Sequence, residues 1–112
     1  MKIGNVLYPV SDVDRAVAFY RDGLGLAVKF TDGGRFAALD AGGTTLALAG
    51  PAEDVTGGDP AASFKVPDVA AAVERLTAAG ARLVAGPDEG PHETRAVLRD
   101  PDDNPLVVYA PR

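Results

Sequence analysis

The chain has 112 residues, a formal net charge of −5 and no cysteine. That length fits one domain, and the missing thiols exclude a disulfide framework, a thiolate nucleophile and a thiolate metal site. Eleven scattered Lys and Arg on an acidic background argue against a nucleic-acid partner. No apolar run approaches the roughly 18 residues of a membrane span, and no charged-then-apolar leader precedes a cleavage signal, so the expectation is a cytoplasmic chain without a membrane partner.

Ile3 to Val10 is rich in β-formers and ends at Ser11-Asp12, where a short side-chain acceptor can cap the free amides of a helix. The helix follows: Val13, Ala16, Val17, Tyr20 and Leu24 fall on one face of a 3.6-residue period. Gly23 and Gly25 permit the left-handed turn that ends it. Ala27 to Thr31, Arg35 to Asp40 and Thr44 to Ala49 read as strands, because Asp32-Gly33-Gly34 and Ala41-Gly42-Gly43 supply hairpin chemistry between them. The plan then repeats. Ala62 to Val66 is a strand, Asp68 caps a helix with the stripe Val69, Ala72, Val73 and Leu76, and Gly80 closes it. Arg82 to Ala85, Thr94 to Arg99 and Leu106 to Ala110 are the remaining strands, the last reached through the turn Asp100 to Pro105.

The chain is therefore written twice. Val10, Asp12, Val13, Ala16 and Val17 recur 56 residues later as Val66, Asp68, Val69, Ala72 and Val73, while Leu46, Ala47 and Pro51 meet Leu106, Val107 and Pro111 at an offset of 60. The four extra residues are expected in the longer, polar stretch Gly86 to Glu93, read as a loop. Residues 1–51 form one copy, 52–60 a link and 61–112 the other, within a single domain. Strand alternation assigns Val6, Tyr8, Val10, Leu39, Leu46 and Leu48 to the helix-packing side of the first copy, and Phe64, Val66, Leu98, Leu106 and Val108 to that side of the second. Asn5, Leu7, Phe36, Ala38, Thr45 and Ala47 are left on the other face of the first copy; Ala61, Ser63, Lys65, Arg95, Val97, Val107 and Tyr109 are left on that of the second.

The phrase Val10-Ser11-Asp12 through Ala16 to Phe19-Tyr20, followed by Gly23-Leu24-Gly25-Leu26, together with Phe64-Lys65-Val66-Pro67-Asp68 and the turn Asp100-Pro101-Asp102-Asp103-Asn104, resembles the vicinal oxygen chelate superfamily. That superfamily includes glyoxalase I, extradiol dioxygenases, methylmalonyl-CoA epimerase and the bleomycin resistance proteins. The resemblance implies an α+β fold in which two tandem βαβββ modules form a curved eight-stranded mixed sheet, a half-barrel with helices on the convex side. In its catalytic branches it also implies a divalent metal held by His and Glu from four cavity strands. Carried over one at a time, those ligand positions fall on Asn5, Ala47, Ala61 and Val107. An amide, two methyls and an isopropyl cannot chelate. The expectation is no metal and no cofactor, with Asp103 straining a turn where the family often has Gly.

What remains on the cavity face is binding equipment. Phe36 and Tyr109 offer flat stacking surface for a planar ligand or a partner subunit, and Lys65 with Arg95 can hold a carboxylate. His92, the only histidine, is either a general base at the cavity mouth or an exposed loop residue. The acidic surface suits a cationic ligand or simply solubility. The resemblance to the bleomycin-resistance branch favours a homodimeric small-molecule binding protein over an enzyme, with a cationic or planar ligand contacting Asn5, Leu7, Ser63 and the residues named above. Two alternatives stay open: a lyase, isomerase or dioxygenase-like enzyme in which Asn5, Ser63, Lys65, Tyr109 or His92 replaces the metal, and a non-catalytic dimerisation module.

Overall fold

The computed structural model describes all 112 residues. In chain order they form β1 (Lys2–Pro9), α1 (Val13–Leu24), β2 (Ala27–Asp32), β3 (Phe36–Asp40), β4 (Thr45–Ala49), a 3-10 turn (Pro51–Glu53), β5 (Ala61–Lys65), α2 (Val69–Ala78), β6 (Arg82–Glu89), β7 (Glu93–Arg99) and β8 (Pro105–Pro111). The fold is α+β, with two helices and eight strands in mixed directions, laid out as two βαβββ modules. Two compact units result: Asn5–Pro60, and Ala61–Arg112 together with Met1–Gly4. The link 52–60 thus belongs with the first unit, and the first four residues with the second.

In the first unit the strands run β2-β3-β4-β1, with β4 antiparallel to β3 and parallel to β1. The Asp12 carboxylate accepts from the Arg15 N–H to start α1, and Gly25, at φ 72°, donates its N–H to the Arg21 carbonyl to end it. The apolar stripe of α1 meets a core of Val13, Val17, Ala37, Leu39 and Leu48, flanked by Tyr8, Val10, Tyr20 and Leu46. Each such side chain removed from water contributes about 1.5–3 kcal/mol, which is what holds a 12-residue helix too short to persist alone.

The second unit repeats the order as β5-β8-β7-β6, with β5 parallel to β8. Asp68 accepts from the Ala71 N–H, and α2 packs Val69 and Ala72 onto Val66, Ala96, Leu98 and Val108. The helix-facing residues expected from alternation all lie in these two cores, Val6 excepted, which is half-buried beside Leu46.

Three readings need correction. The stretch Gly86 to Glu93 is mostly strand, because β6 runs to Glu89 and pairs Asp88 with Arg95 and Glu89 with Thr94. β6 pairs only with β7 within this unit, so Pro87 can interrupt its donors without breaking a ladder on both sides. The additional residues of the second copy therefore lengthen a bulged hairpin, leaving only Gly90 to His92 as its turn. The link is also more than a spacer: Val55 packs on Leu7, Ala47, Ala49 and Phe36, and Thr56 is buried with its N–H donating to the Asp54 carboxylate. Finally, strands expected to begin at Ile3 and Ala62 each start and stop one residue earlier.

Asp103 does adopt a left-handed conformation, at φ 67°, and no other non-glycine residue does. Its carbonyl accepts from Arg99 Nη1 at 2.9 Å, and its carboxylate meets Arg82 Nη2 at 3.1 Å. The same turn is organised by Asp100, whose carboxylate accepts from the backbone N–H groups of Asp102 and Asn104 at 2.9 and 2.8 Å and from Asn104 Nδ2 at 3.1 Å.

Two outcomes follow from these turns. Gly86 sits at φ 87°, and a Cβ there would lie 2.5 Å from the Arg95 carbonyl oxygen, so Gly86→Ala should cost about 3 kcal/mol in chemical denaturation, combining left-handed strain with overpacking against backbone. The hydrogen bonds from Asn104 hold the Asp100 carboxyl below its ordinary range. Its contribution to stability is then complete above the unfolded carboxylate pKa and disappears as pH falls through the lowered folded value; Asp100→Asn should flatten that part of the acid limb in a pH series of thermal melts.

Candidate functional site

Paired residues on neighbouring strands point to the same face, so register alone assembles the candidate site in each unit. In the first unit, the face opposite α1 carries Asn5 beside Thr45 and Asp40, Leu7 beside Ala47, Ala38 and Phe30, and Pro9 beside Ala49, Phe36 and Asp32. Leu7, Ala47 and Ala49 are buried, with Phe36 and Val55 against them. Phe36 is tilted at 51° to Phe30, with ring centroids 6.4 Å apart. Lys29 donates to Thr45 Oγ1 at 2.9 Å.

Phe30 and Lys29 were given no face by the sequence reading. Lys29 is the extra residue of a bulge between Val28 and Phe30, and one extra residue reverses the parity of everything beyond it. The signal available in the sequence, a Phe two positions after an apolar Val, gives the wrong side without that bulge.

In the second unit the corresponding face carries two unlike rows. Ser63, Val107, Val97 and Ala85 form one, and Lys65, Tyr109, Arg95 and Asp88 the next. Ala61, Ser63, Val97 and Val107 are all at most 5% exposed, whereas Lys65 is exposed and Tyr109 and Arg95 are half-buried. Glu93 Oε2 lies 3.9 Å from Arg95 Nη1, too long for a strong hydrogen bond. The equivalent row of the first unit is Pro9, Ala49, Phe36 and Asp32, so the cation–phenol–cation arrangement is private to the second copy.

Tyr109 has a neighbour that the sequence reading passed over. A Cβ on Gly4 would fall 1.7 Å from the Tyr109 hydroxyl oxygen, so the ring occupies space that only glycine leaves open. Asn5, Leu7, Phe36 and Ala47 are brought together in the first unit, and Ala61, Ser63, Lys65, Arg95, Val107 and Tyr109 in the second. His92 joins neither group: it is exposed in the β6–β7 turn, where its carbonyl accepts from the Arg112 N–H.

Of the four positions onto which the resemblance carries metal ligands, Asn5 is half-buried, Ala47, Ala61 and Val107 are buried, and no cluster of three or more His, Cys, Asp or Glu occurs in the chain. That donor set does not suit such an ion. No helix is long and apolar enough to cross a membrane.

This two-copy architecture, with paired first and last strands and a helix on one face of each copy, defines the βαβββ class. The sequence profile of the Glyoxalase/Bleomycin resistance protein/Dioxygenase superfamily matches residues 2–108, and the chain belongs to that superfamily. An uncharacterized protein of Mycolicibacterium smegmatis is 41% identical over 106 residues, covering 95% of this chain and 90% of that one. Among solved structures, an NAD-dependent benzaldehyde dehydrogenase from Legionella pneumophila superposes with a TM-score of 0.81 at 19% identity, covering 96% of this chain and 97% of its own. Methylmalonyl-CoA epimerase from Streptomyces coelicolor does so at 0.73 and 23%, covering 98% and 96%. These likenesses establish the fold.

Because Tyr109 is tolerated only by the absence of a side chain at residue 4, Gly4→Ala should leave the protein folded at a cost of about 1 kcal/mol while displacing the ring. Altered NMR shifts of the Tyr109 ring protons, with the melting temperature lowered by only about 4 °C, are the expected readout.

Proposed function

We propose that this protein is a metal-independent small-molecule binding protein of the glyoxalase and bleomycin resistance type, which works as a homodimer and holds its ligand against the strand face opposite the helices. The row Lys65, Tyr109 and Arg95 carries this reading, because it sets an aromatic ring between two cations beside a buried apolar row. A planar ligand with an anionic group matches that chemistry: the ring offers stacking area, and the cations offer charge-assisted hydrogen bonds. The acidic net charge favours a cationic ligand only in the diffuse sense of a long-range field, whereas Lys65 and Arg95 stand in the row itself, with Asp88 and Glu93 bordering only its Arg95 end. Antibiotics with an aromatic acid group are within the chemistry this face would accept.

A second reading uses the same three side chains. Donors from Lys65, Tyr109 and Arg95 could stabilise an enolate-like oxygen, giving a lyase or isomerase without a metal.

Thermal shift and calorimetry with naphthoate, the planar cation proflavine, and Mg²⁺, Ni²⁺ or Zn²⁺ discriminate these possibilities, since a ligand of the native state stabilises in proportion to ln(1 + [L]/Kd). Naphthoate should raise the melting temperature in the presence of EDTA, with binding weakened roughly tenfold by Lys65→Ala or by Arg95→Gln. Stabilisation by the metals alone, or a preference for proflavine, would count against the proposal. Turnover of a ketone or thioester substrate abolished by Tyr109→Phe would favour the enzyme.

A further inference from the structure

The duplication makes the two helix–sheet cores comparable position by position, and they differ at three position pairs. In the first unit, Tyr8 on β1 and Tyr20 on α1 fill the space between helix and sheet, their ring centroids 6.3 Å apart, over Leu46 and Leu48. Phe19 packs edge-on against Tyr20 at 5.0 Å. The matching residues of the second unit are Phe64 for Tyr8, Leu76 for Tyr20 and Arg75 for Phe19. At these three positions the second unit has one aromatic ring where the first has three.

The result is a cavity of about 270 Å³ between α2 and the β5–β8 pair, lined by Met1, Phe64, Ala72, Arg75, Leu76, Leu106 and Val108. Ala72 and Val108 are buried and make its floor, while Phe64, Leu76 and Leu106 remain half-buried although they belong to the core. A depression of about 390 Å³ beside α1 is of a different kind: it is more polar, lined by Ser11, Asp12 and Arg15 as well as Val10, Phe19 and Tyr20, and does not reach Tyr8, Leu46 or Leu48. The α2 cavity is close in volume to the lower end of ligand pockets, roughly 300–1,000 Å³, and well above the roughly 150 Å³ that admits benzene. Its one charged wall residue is Arg75, whose guanidinium makes none of the ion pairs in the chain.

We propose that this helix–sheet cavity is a second binding site, taking a medium-chain aliphatic carboxylate with its hydrocarbon tail against Phe64, Leu76, Leu106 and Val108 and its carboxylate on Arg75. An apolar slot excludes a polyanion or a sugar, whose hydroxyls would lose water without finding partners. A single cation at the exposed helix surface selects one negative charge at one end of the molecule. The site lies on the helix side of the sheet, whereas Lys65, Tyr109 and Arg95 lie on the opposite face, so the two can be occupied and tested separately.

The test is titration of the whole chain with octanoate, followed by chemical shifts of the Leu76 and Val108 methyl groups and by melting temperature, with octanol and octylamine as neutral and cationic counterparts. Octanoate should shift those methyls and raise the melting temperature, and Arg75→Gln, an exposed change that leaves the fold intact, should weaken octanoate about fivefold while leaving octanol unchanged. The double variant Phe64→Tyr with Leu76→Tyr, which restores the first unit's filling, should abolish the response. Lys65→Ala should leave it unaltered. Failure of octanoate to move the methyls at millimolar concentration, an undiminished response in the filled variant, equal affinity for octylamine, or loss of the response on Lys65→Ala would each overturn the assignment.

Discussion

Parallel pairing between the first and last strand of each module is the constraint on which the remaining structure depends. In the first unit it places Val6 beside Leu46 and Tyr8 beside Leu48 on the helix side, and Leu7 beside Ala47 on the other. In the second it sets Phe64 beside Val108 and Ser63 beside Val107 in the same manner. A slip of one residue would exchange those faces, turning the core leucines outward and burying Lys65 under α2. The hydrophobic cost of that exchange, several side chains at about 1.5–3 kcal/mol each, is what holds the polar row on the face available to a ligand.

With the scaffold held in common, the two copies have diverged in side chain more than in backbone. Where the second has Lys65, Tyr109 and Arg95, the first has Pro9, Ala49 and Phe36, and its own link adds Val55 to that apolar surface. On the helix side the two differ as well: the first unit sets Tyr8 and Tyr20 between helix and sheet, and the second carries an apolar cavity over Ala72 and Val108. On the two binding sites proposed above, the second copy carries the recognition chemistry, one site on each of its faces. The family fold permits this division because each module closes its own helix–sheet core.

Much of this was legible in residue order. Asp12 and Asp68 announced the helix starts, Gly25 the first helix end, and the leucine and valine alternation picked out the helix-facing residues, Val6 excepted. Bulges were the point of failure. Lys29 reversed the side of Phe30, and the irregularities between Leu83 and Asp88 let a proline-containing segment remain strand. Local propensity carries no mark of an inserted residue, because the bulge is paired by a neighbour distant in sequence. The packing of Val55 and the close approach of Gly4 to Tyr109 were invisible for the same reason.

The amino-acid sequence by itself determined that the chain is a duplication, which residues face each helix, and that the four positions used for metal in related folds carry no suitable donors. Those are statements of period and chemical type, and both are written residue by residue. Only the tertiary structure decided that Lys65, Tyr109 and Arg95 form a single row, that His92 stands apart from it, and that an apolar cavity lies between α2 and the β5–β8 pair. Such features depend on cross-strand register and on unfilled volume, which exist only once segments far apart in the chain have been brought into contact.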